Sequence, residues 1–308
     1  MSAIEPGTAL FILAFDHRGS FQKQWFGIEG EPTDEETLRI ADGKELVFEG
    51  LELALSRGVH AATAGGLVDE QLGAPKRIPD RIKAAGMKLA MPVEKSGQAE
   101  FDFEYGEKFG DHIERFDPDF VKVLVRCNPE SDPELNRRQA DRLARLSDWL
   151  AQNGRSFLFE LLVPAEDEQL ASVDGDKERY DTELRPGLMV GAIAGLQDAG
   201  VEPAVWKIEG LDRREDCEQV VAQCRAGGRD HVVCVVLGRG ASRAKVEHWL
   251  TSGAGVDGYV GFAIGRSIWG DPLSGFLAGD LSREQAAEQI ADNYVHFVDT
   301  YQGAAAAA

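Results

Sequence analysis

Cysteine is scarce. The chain has four in 308 residues, Cys127, Cys217, Cys224 and Cys234, and no CxxC pair among them. That excludes a disulfide framework, and the apolar runs around Cys127 and Cys234 read as buried thiols in a reducing compartment. Positive charge is in deficit: 33 Lys and Arg against 53 Asp and Glu give a formal net charge of −20. Such a chain is expected to bind neither nucleic acid nor an anionic membrane, since both call for a net positive face. Histidine is sparse too, and His60, His112, His231, His248 and His296 form no spaced ligand set. A metal-dependent reaction is therefore disfavoured, and no cofactor is expected. Long hydrophobic runs are missing. The apolar stretch near the N-terminus is short, lacks a basic segment before it and ends in Asp16-His17-Arg18, so it reads as neither a signal peptide nor a membrane span. No Pro/Gly/Ser-rich linker divides the chain. The expectation is a cytoplasmic protein with one domain over residues 1–302 and a low-complexity tail, 303–308, outside it.

What is present is a repeating alternation. Apolar, β-branched or aromatic runs of strand length fall at 10–16, 61–65, 88–93, 120–125, 157–163, 204–208, 231–237 and 258–264. Near-continuous runs of this kind suit strands buried on both faces of a parallel sheet. Helical patterns lie between them, at 34–57, 133–153, 187–199, 213–226, 242–251 and 282–301. Thr33 and Glu36 form a capping-box signature before the first. Gly200, Gly227-Gly228 and Gly253 stand where left-handed C-caps are wanted. Eight strands alternating with helices predict a single-domain α/β (β/α)8 TIM barrel. A doubly wound sheet would call for a glycine-rich fingerprint after the first strand, and Asp16-His17-Arg18-Gly19 is not one. The acidic stretch 165–185 is too long for a simple turn and reads as a candidate lid.

In a barrel the chemistry lies at the C-terminal ends of the strands. Three charged residues sit inside apolar strands: Lys122, Glu160 and Lys207. Each would cost several kcal/mol if buried alone, so they are expected to converge. Two lysines in a dry pocket repel, which lowers the pKa of one and leaves an amine able to form a Schiff base. Lys207 is assigned that role, with Lys122 as its neighbour. Glu160 would shuttle protons in imine formation and C–C cleavage, and Asp16 would hold a substrate hydroxyl or act as a second acid/base. After the last two strands, the amides of 238–241 and of Gly265-Arg266, with Gly238, Arg239, Gly240 and Arg266, form an expected anion site. Arg18 and Arg126, at other strand ends, are further candidate anion ligands. Together these residues read as a Schiff-base aldolase for a phosphorylated sugar or sugar acid. Duller readings go to His17 as a loop-orienting group, Trp206 as helix-facing packing and Cys127 as a structural thiol. Self-association into a homo-oligomer is left open.

Eight segments occur in order: LAFDHRGSF (13–21), GGLVDEQLG (65–73), VEKSGQAEFDFEYGE (93–107), VKVLVRCNPE (121–130), FLFELLVPA (157–165), VWKIEG (205–210), VVLGRGA (235–241) and GFAIGRSIW (261–269). Over 10–301 the chain resembles the class I tagatose-bisphosphate aldolases. More closely, it resembles the aldolase-like domain fused to bacterial 5-dehydro-2-deoxygluconokinase in myo-inositol catabolism. The resemblance implies that Lys207 forms the imine, that Asp16, Lys122 and Glu160 occupy the other catalytic positions, and that Arg266 is a phosphate ligand. It further implies cleavage of 5-dehydro-2-deoxygluconate 6-phosphate to dihydroxyacetone phosphate and malonate semialdehyde. Tagatose bisphosphate or another phosphoketose, or a non-catalytic sugar-phosphate-binding barrel, are the alternatives. Two positions depart from the tagatose-bisphosphate group: the Leu-Gly-Arg-Gly-Ala turn at 237–241, and Gly210, where that group carries an apolar residue and a proline.

Overall fold

The computed structural model describes residues 8–308. Strands β1 (Leu10–Ala14), β2 (Ala64–Leu67), β3 (Lys88–Pro92), β4 (Phe120–Arg126), β5 (Ser156–Leu162), β6 (Val205–Glu209), β7 (Val233–Leu237) and β8 (Tyr259–Ile264) pair in parallel, in sequence order. β8 returns to β1, which closes the barrel. The outer layer is α1 (Asp34–Ser56), α2 (Ile78–Ala84), α3 (Phe109–Phe116), α4 (Pro133–Gln152), α5 (Arg185–Asp198), α6 (Arg214–Cys224), α7 (Arg243–Gly253), α8 (Arg266–Ala278) and α9 (Arg283–Ala307). The chain is a single-domain (β/α)8 TIM barrel.

Strand periodicity decides what reaches the barrel axis. Leu10, Ile12, Phe120, Leu158, Val205 and Val233 pack together inside the barrel, while Phe11, Leu13, Val121, Phe159 and Trp206 join the larger cluster under the helices. Trp206 is fully buried on that outer side beside Phe159, as its alternation with Lys207 predicts. Counting on by twos from Phe120, Leu158 and Val205 gives Lys122, Glu160 and Lys207. The apolar interior layer is therefore followed by a charged one. Glu160 and Lys207 are direct register partners across β5 and β6.

The helix signals act as read. Thr33 accepts from the Glu36 amide at 3.2 Å, and the Glu36 side chain accepts from the Thr33 amide at 2.8 Å. Of the boundaries that differ from expectation, three are instructive. β2 starts at Ala64 rather than 61, because a turn comes first: the Thr63 and Ala64 amides both donate to the His60 carbonyl, at 3.0 and 3.1 Å. Gly253 ends α7 in place of capping it, and the left-handed position falls at Gly255 (φ 75°). Residues 303–307 continue α9 as helix, in keeping with the helix preference of alanine, and Ala304 packs on the core.

Gly210 has a packing reason for being glycine. A Cβ there would lie 2.0 Å from the Trp249 ring, whose Nε1 donates to Asp212 at 2.6 Å. The tryptophan is held against the end of β6 and leaves no room for a side chain.

Among the buried charges that were not anticipated is one on α1. Lys44 of α1 is fully buried; its Nζ donates to the Phe15 carbonyl at 2.8 Å and pairs with Asp69, itself 1% exposed. Asp69 also accepts from the Leu72 amide at 2.8 Å, capping the short helix Glu70–Gly73. This pair ties α1 to the C-terminal ends of β1 and β2. Lys44 lies in the apolar stripe of α1, spaced four and three residues from buried Ile40 and Val47, so its burial follows from helical periodicity.

Candidate active site

A cavity of about 840 Å³ opens at the C-terminal ends of the strands. Its walls include every candidate named from the sequence: Asp16, Arg18, Lys122, Arg126, Glu160 and Lys207, with Gly238, Arg239, Gly240, Gly265 and Arg266. At its floor Lys122 is 1% exposed and Lys207 2%.

Lys122 Nζ meets three carboxylates: Asp16 Oδ2 at 2.7 Å, Glu94 Oε1 at 2.7 Å and Glu160 Oε2 at 3.1 Å. Lys207 Nζ meets one, the same Glu160 Oε2, at 2.9 Å. This changes the expected electrostatics. Burial pushes the Lys122 ammonium toward neutrality, but Asp16, Glu160 and Glu94 outweigh it and hold its pKa above the usual lysine range. Lys122 is thus the fixed cation of the site. Burial likewise raises the carboxyls of Asp16 and Glu160, but the lysines outweigh it and hold both below the ordinary range.

Glu94 was missed as a site residue. It follows β3 in phase with the inward-facing Ala90, so the alternation that marks Lys122 and Glu160 could have found it. Burial keeps its pKa raised in spite of Lys122 and Arg18. The Arg18 guanidinium is engaged in the wall: Nη1 donates to Glu104 at 2.9 Å and Nη2 to the Glu94 carbonyl at 2.7 Å. Arg126 is exposed at the rim and donates to the Gln98 carbonyl at 2.9 Å.

On the opposite side, Glu209 braces the ends of three strands. It accepts from the Val163 amide at 2.8 Å and pairs with Arg239 Nε at 3.1 Å. Arg239 in turn reaches Asp181 at 2.8 Å, and Arg185 meets the other Asp181 oxygen at 2.9 Å. Arg266 Nη2 donates to the Arg239 carbonyl at 3.2 Å, and the Ala241 amide closes the turn onto Gly238 O at 2.9 Å. Of the expected anion ligands, the Ala241 amide is therefore occupied within its own turn, and Arg239 is shared with two carboxylates.

The stretch 165–185 is largely helical. It holds the helices Asp167–Ser172 and Lys177–Arg179 and a π-type turn, Tyr180–Leu184, that runs into α5. Gln169 accepts from Asn128 at 2.7 Å and Tyr180 donates to the Val163 carbonyl at 2.9 Å. Ala165, Leu170, Lys177, Tyr180 and Asp181 wall the cavity.

His17 sits beside the cavity floor, edge-on to Trp269 at 5.6 Å, with its Nδ1 buried and unpartnered among the described residues. Burial, reinforced by Arg266 and Lys207 against the pull of Asp16 and Glu160, brings its pKa down to about 4. The unfolded chain takes up this proton near the ordinary value of 6.5, whereas the folded protein resists until about 4. The His17 contribution to stability is therefore full above 6.5 and falls as pH drops toward 4, by on the order of 3 kcal/mol. Urea titrations across this window are expected to show a shallower decline for His17→Asn than for the wild type; equal slopes would contradict it.

All four cysteines are buried and free, and burial pushes the Cys127 thiol up to about 11. Among the described residues no group of three or more His, Cys, Asp or Glu side chains is placed to hold a metal ion, and no helix is long and apolar enough to cross a membrane. No curated protein matches the chain. One family model does, over residues 3–305, under the description "Uncharacterized protein conserved in bacteria (DUF2090)". With that match running through all eight strands, the chain belongs to the DUF2090 family.

Proposed function

We propose that the protein is a Schiff-base aldolase acting on a phosphorylated keto sugar or sugar acid, with 5-dehydro-2-deoxygluconate 6-phosphate as the substrate that the sequence resemblance favours. The observation that carries this reading is the division of labour between two buried lysines. Lys122 is locked by three carboxylates, whereas Lys207 faces the cavity with Glu160 as its one carboxylate partner. An amine so placed can give its proton to Glu160 and attack a ketone carbon. Glu160 returns the proton to the carbinolamine oxygen as water leaves, which yields the iminium. Lys122 stays charged and offsets the negative charge that Glu160 and Asp16 bring to the floor. Asp16, ionised, accepts from a substrate hydroxyl. Arg266 and the glycine turns after β7 and β8 lie on the same wall of the cavity and suit a substrate phosphate.

The test is reduction of the imine in place. Incubation with dihydroxyacetone phosphate and borohydride is expected to leave a stable adduct on Lys207, located by peptide mass spectrometry. The Lys207–Glu160 ion pair would equally suit a barrel that binds a sugar phosphate without cleaving it. That second reading gives saturable binding of dihydroxyacetone phosphate with no adduct, and such a result removes the aldolase assignment.

A further inference from the structure

We propose that Glu94 is a catalytic residue of this site, the group that exchanges the proton of the substrate hydroxyl next to the carbon–carbon bond being broken or made. The inference rests on the Schiff-base reading and moves the cleavage proton from Glu160 to a residue on the neighbouring side of the barrel.

The order of side chains around the barrel sets the direction of the substrate. The phosphate turns follow β7 and β8, Lys207 is on β6, Glu160 on β5, Lys122 on β4, and Glu94 follows β3. A ketose with its phosphate at Arg266 and its carbonyl carbon on Lys207 extends its remaining carbons toward Lys122 and Glu94. Glu94 is 5% exposed and lines the cavity. Its Oε1 accepts from Lys122 at 2.7 Å, with Arg18 Nη2 3.7 Å from the same oxygen. Its Oε2 is buried and has no partner among the described residues. A carboxyl oxygen left without a donor in a dry wall is costly unless it carries a proton or meets a ligand.

The neighbouring carboxyls are engaged differently. Glu160 Oε2 is shared by both lysines. Asp16 and Glu94 contact the same lysine, yet Asp16 is held ionised while burial favours the protonated Glu94. Carboxyls pushed apart in this way divide into a fixed anion and a proton carrier.

In the cleavage direction the Glu94 carboxylate removes the hydroxyl proton, and the O–H electrons form the carbonyl of the departing aldehyde. The carbon–carbon bond breaks, and its electrons flow into the Lys207 iminium to give the enamine. The enamine carbon then takes a proton from solvent, Glu94 releases its own to solvent, and water hydrolyses the resulting iminium to give the ketone and free Lys207. In the reverse direction the protonated Glu94 donates to the aldehyde oxygen as the enamine carbon attacks.

Glu94→Gln keeps the shape and the acceptor toward Lys122 but cannot carry the proton. With dihydroxyacetone phosphate, the variant is expected to retain the borohydride adduct on Lys207 and the exchange of the hydroxymethyl proton with deuterium oxide. Its condensation of that ketone with malonate semialdehyde or glyceraldehyde 3-phosphate should fall about 10²- to 10⁴-fold. Condensation at the wild-type rate would overturn the proposal. So would joint loss of adduct and exchange in a variant with native circular dichroism, since Glu94 would then act only through Lys122. Should Glu94→Gln not fold, Glu94→Ala assayed with and without formate reads the same question: restored condensation supports a proton carrier, and absence of rescue with the adduct intact counts against it. A wild-type protein that forms no adduct defeats the Schiff-base reading itself, an outcome separable from any failure of Glu94.

Discussion

Lys207→Ala is expected to lower the turnover number for retro-aldol cleavage by on the order of 10⁴-fold or more, because the other lysine at the cavity floor is not free to form the imine, and Lys95 and Lys177 line the cavity from exposed positions. Lys122 cannot substitute for it, being held charged by Asp16, Glu94 and Glu160. Lys207→Arg is expected to fail equally, since a guanidinium preserves the charge but does not condense with a ketone. Both variants should stay folded: Glu160 keeps its contact with Lys122 at 3.1 Å when Lys207 is gone. Neither change touches the Arg266 side of the cavity, so dihydroxyacetone phosphate should still bind, measured by calorimetry. Cleavage by Lys207→Ala at the wild-type rate would exclude the imine mechanism.

The second large effect concerns stability. Lys44→Met is expected to cost about 3–5 kcal/mol in urea unfolding, because it leaves the buried Asp69 carboxylate without its counter-ion. Asp69 would keep the Leu72 amide at 2.8 Å and the nearby charge of Arg18, which Glu94, Asp16 and Glu104 also share, too little to offset a charge 1% exposed. Adding Asp69→Asn removes that charge while preserving the helix cap, and the double variant should recover most of the loss. A single variant within about 1 kcal/mol of wild type would show that the pair contributes little to the fold.

The strand runs were legible because a barrel strand is buried on both faces and writes its position as an apolar segment. Within those segments, period two was enough to place Lys122, Glu160 and Lys207 on one layer, and it would have placed Glu94 as well had it been carried past the end of β3. The turn 60–63 hid the start of β2, since Ala61 and Ala62 are as compatible with a tight turn as with a strand. What one-dimensional reading could not supply was pairing between distant segments. That Lys122 would meet three carboxylates rather than repel Lys207, that Arg239 would be held by Glu209 and Asp181, and that Arg18 would be engaged by Glu104 all depend on residues distant in the chain: Arg239 and Asp181 are 58 positions apart, Arg18 and Glu104 86, and Lys122 and Asp16 106. Gly210 shows the same limit: its need for glycine comes from Trp249, on a different helix.

The shared contacts of Lys122 also shape how this site can change over generations. Asp16, Glu94 and Glu160 all lean on one ammonium, and Glu160 passes the effect on to Lys207. A substitution at any one of these positions alters the charge balance felt by the rest, so the effects of paired substitutions should not add. The five positions are therefore expected to vary as one unit. Drift at a single member is expected to be penalised, and a new specificity to be reached more readily through the outer walls, at Arg126 or Lys177, than through the floor.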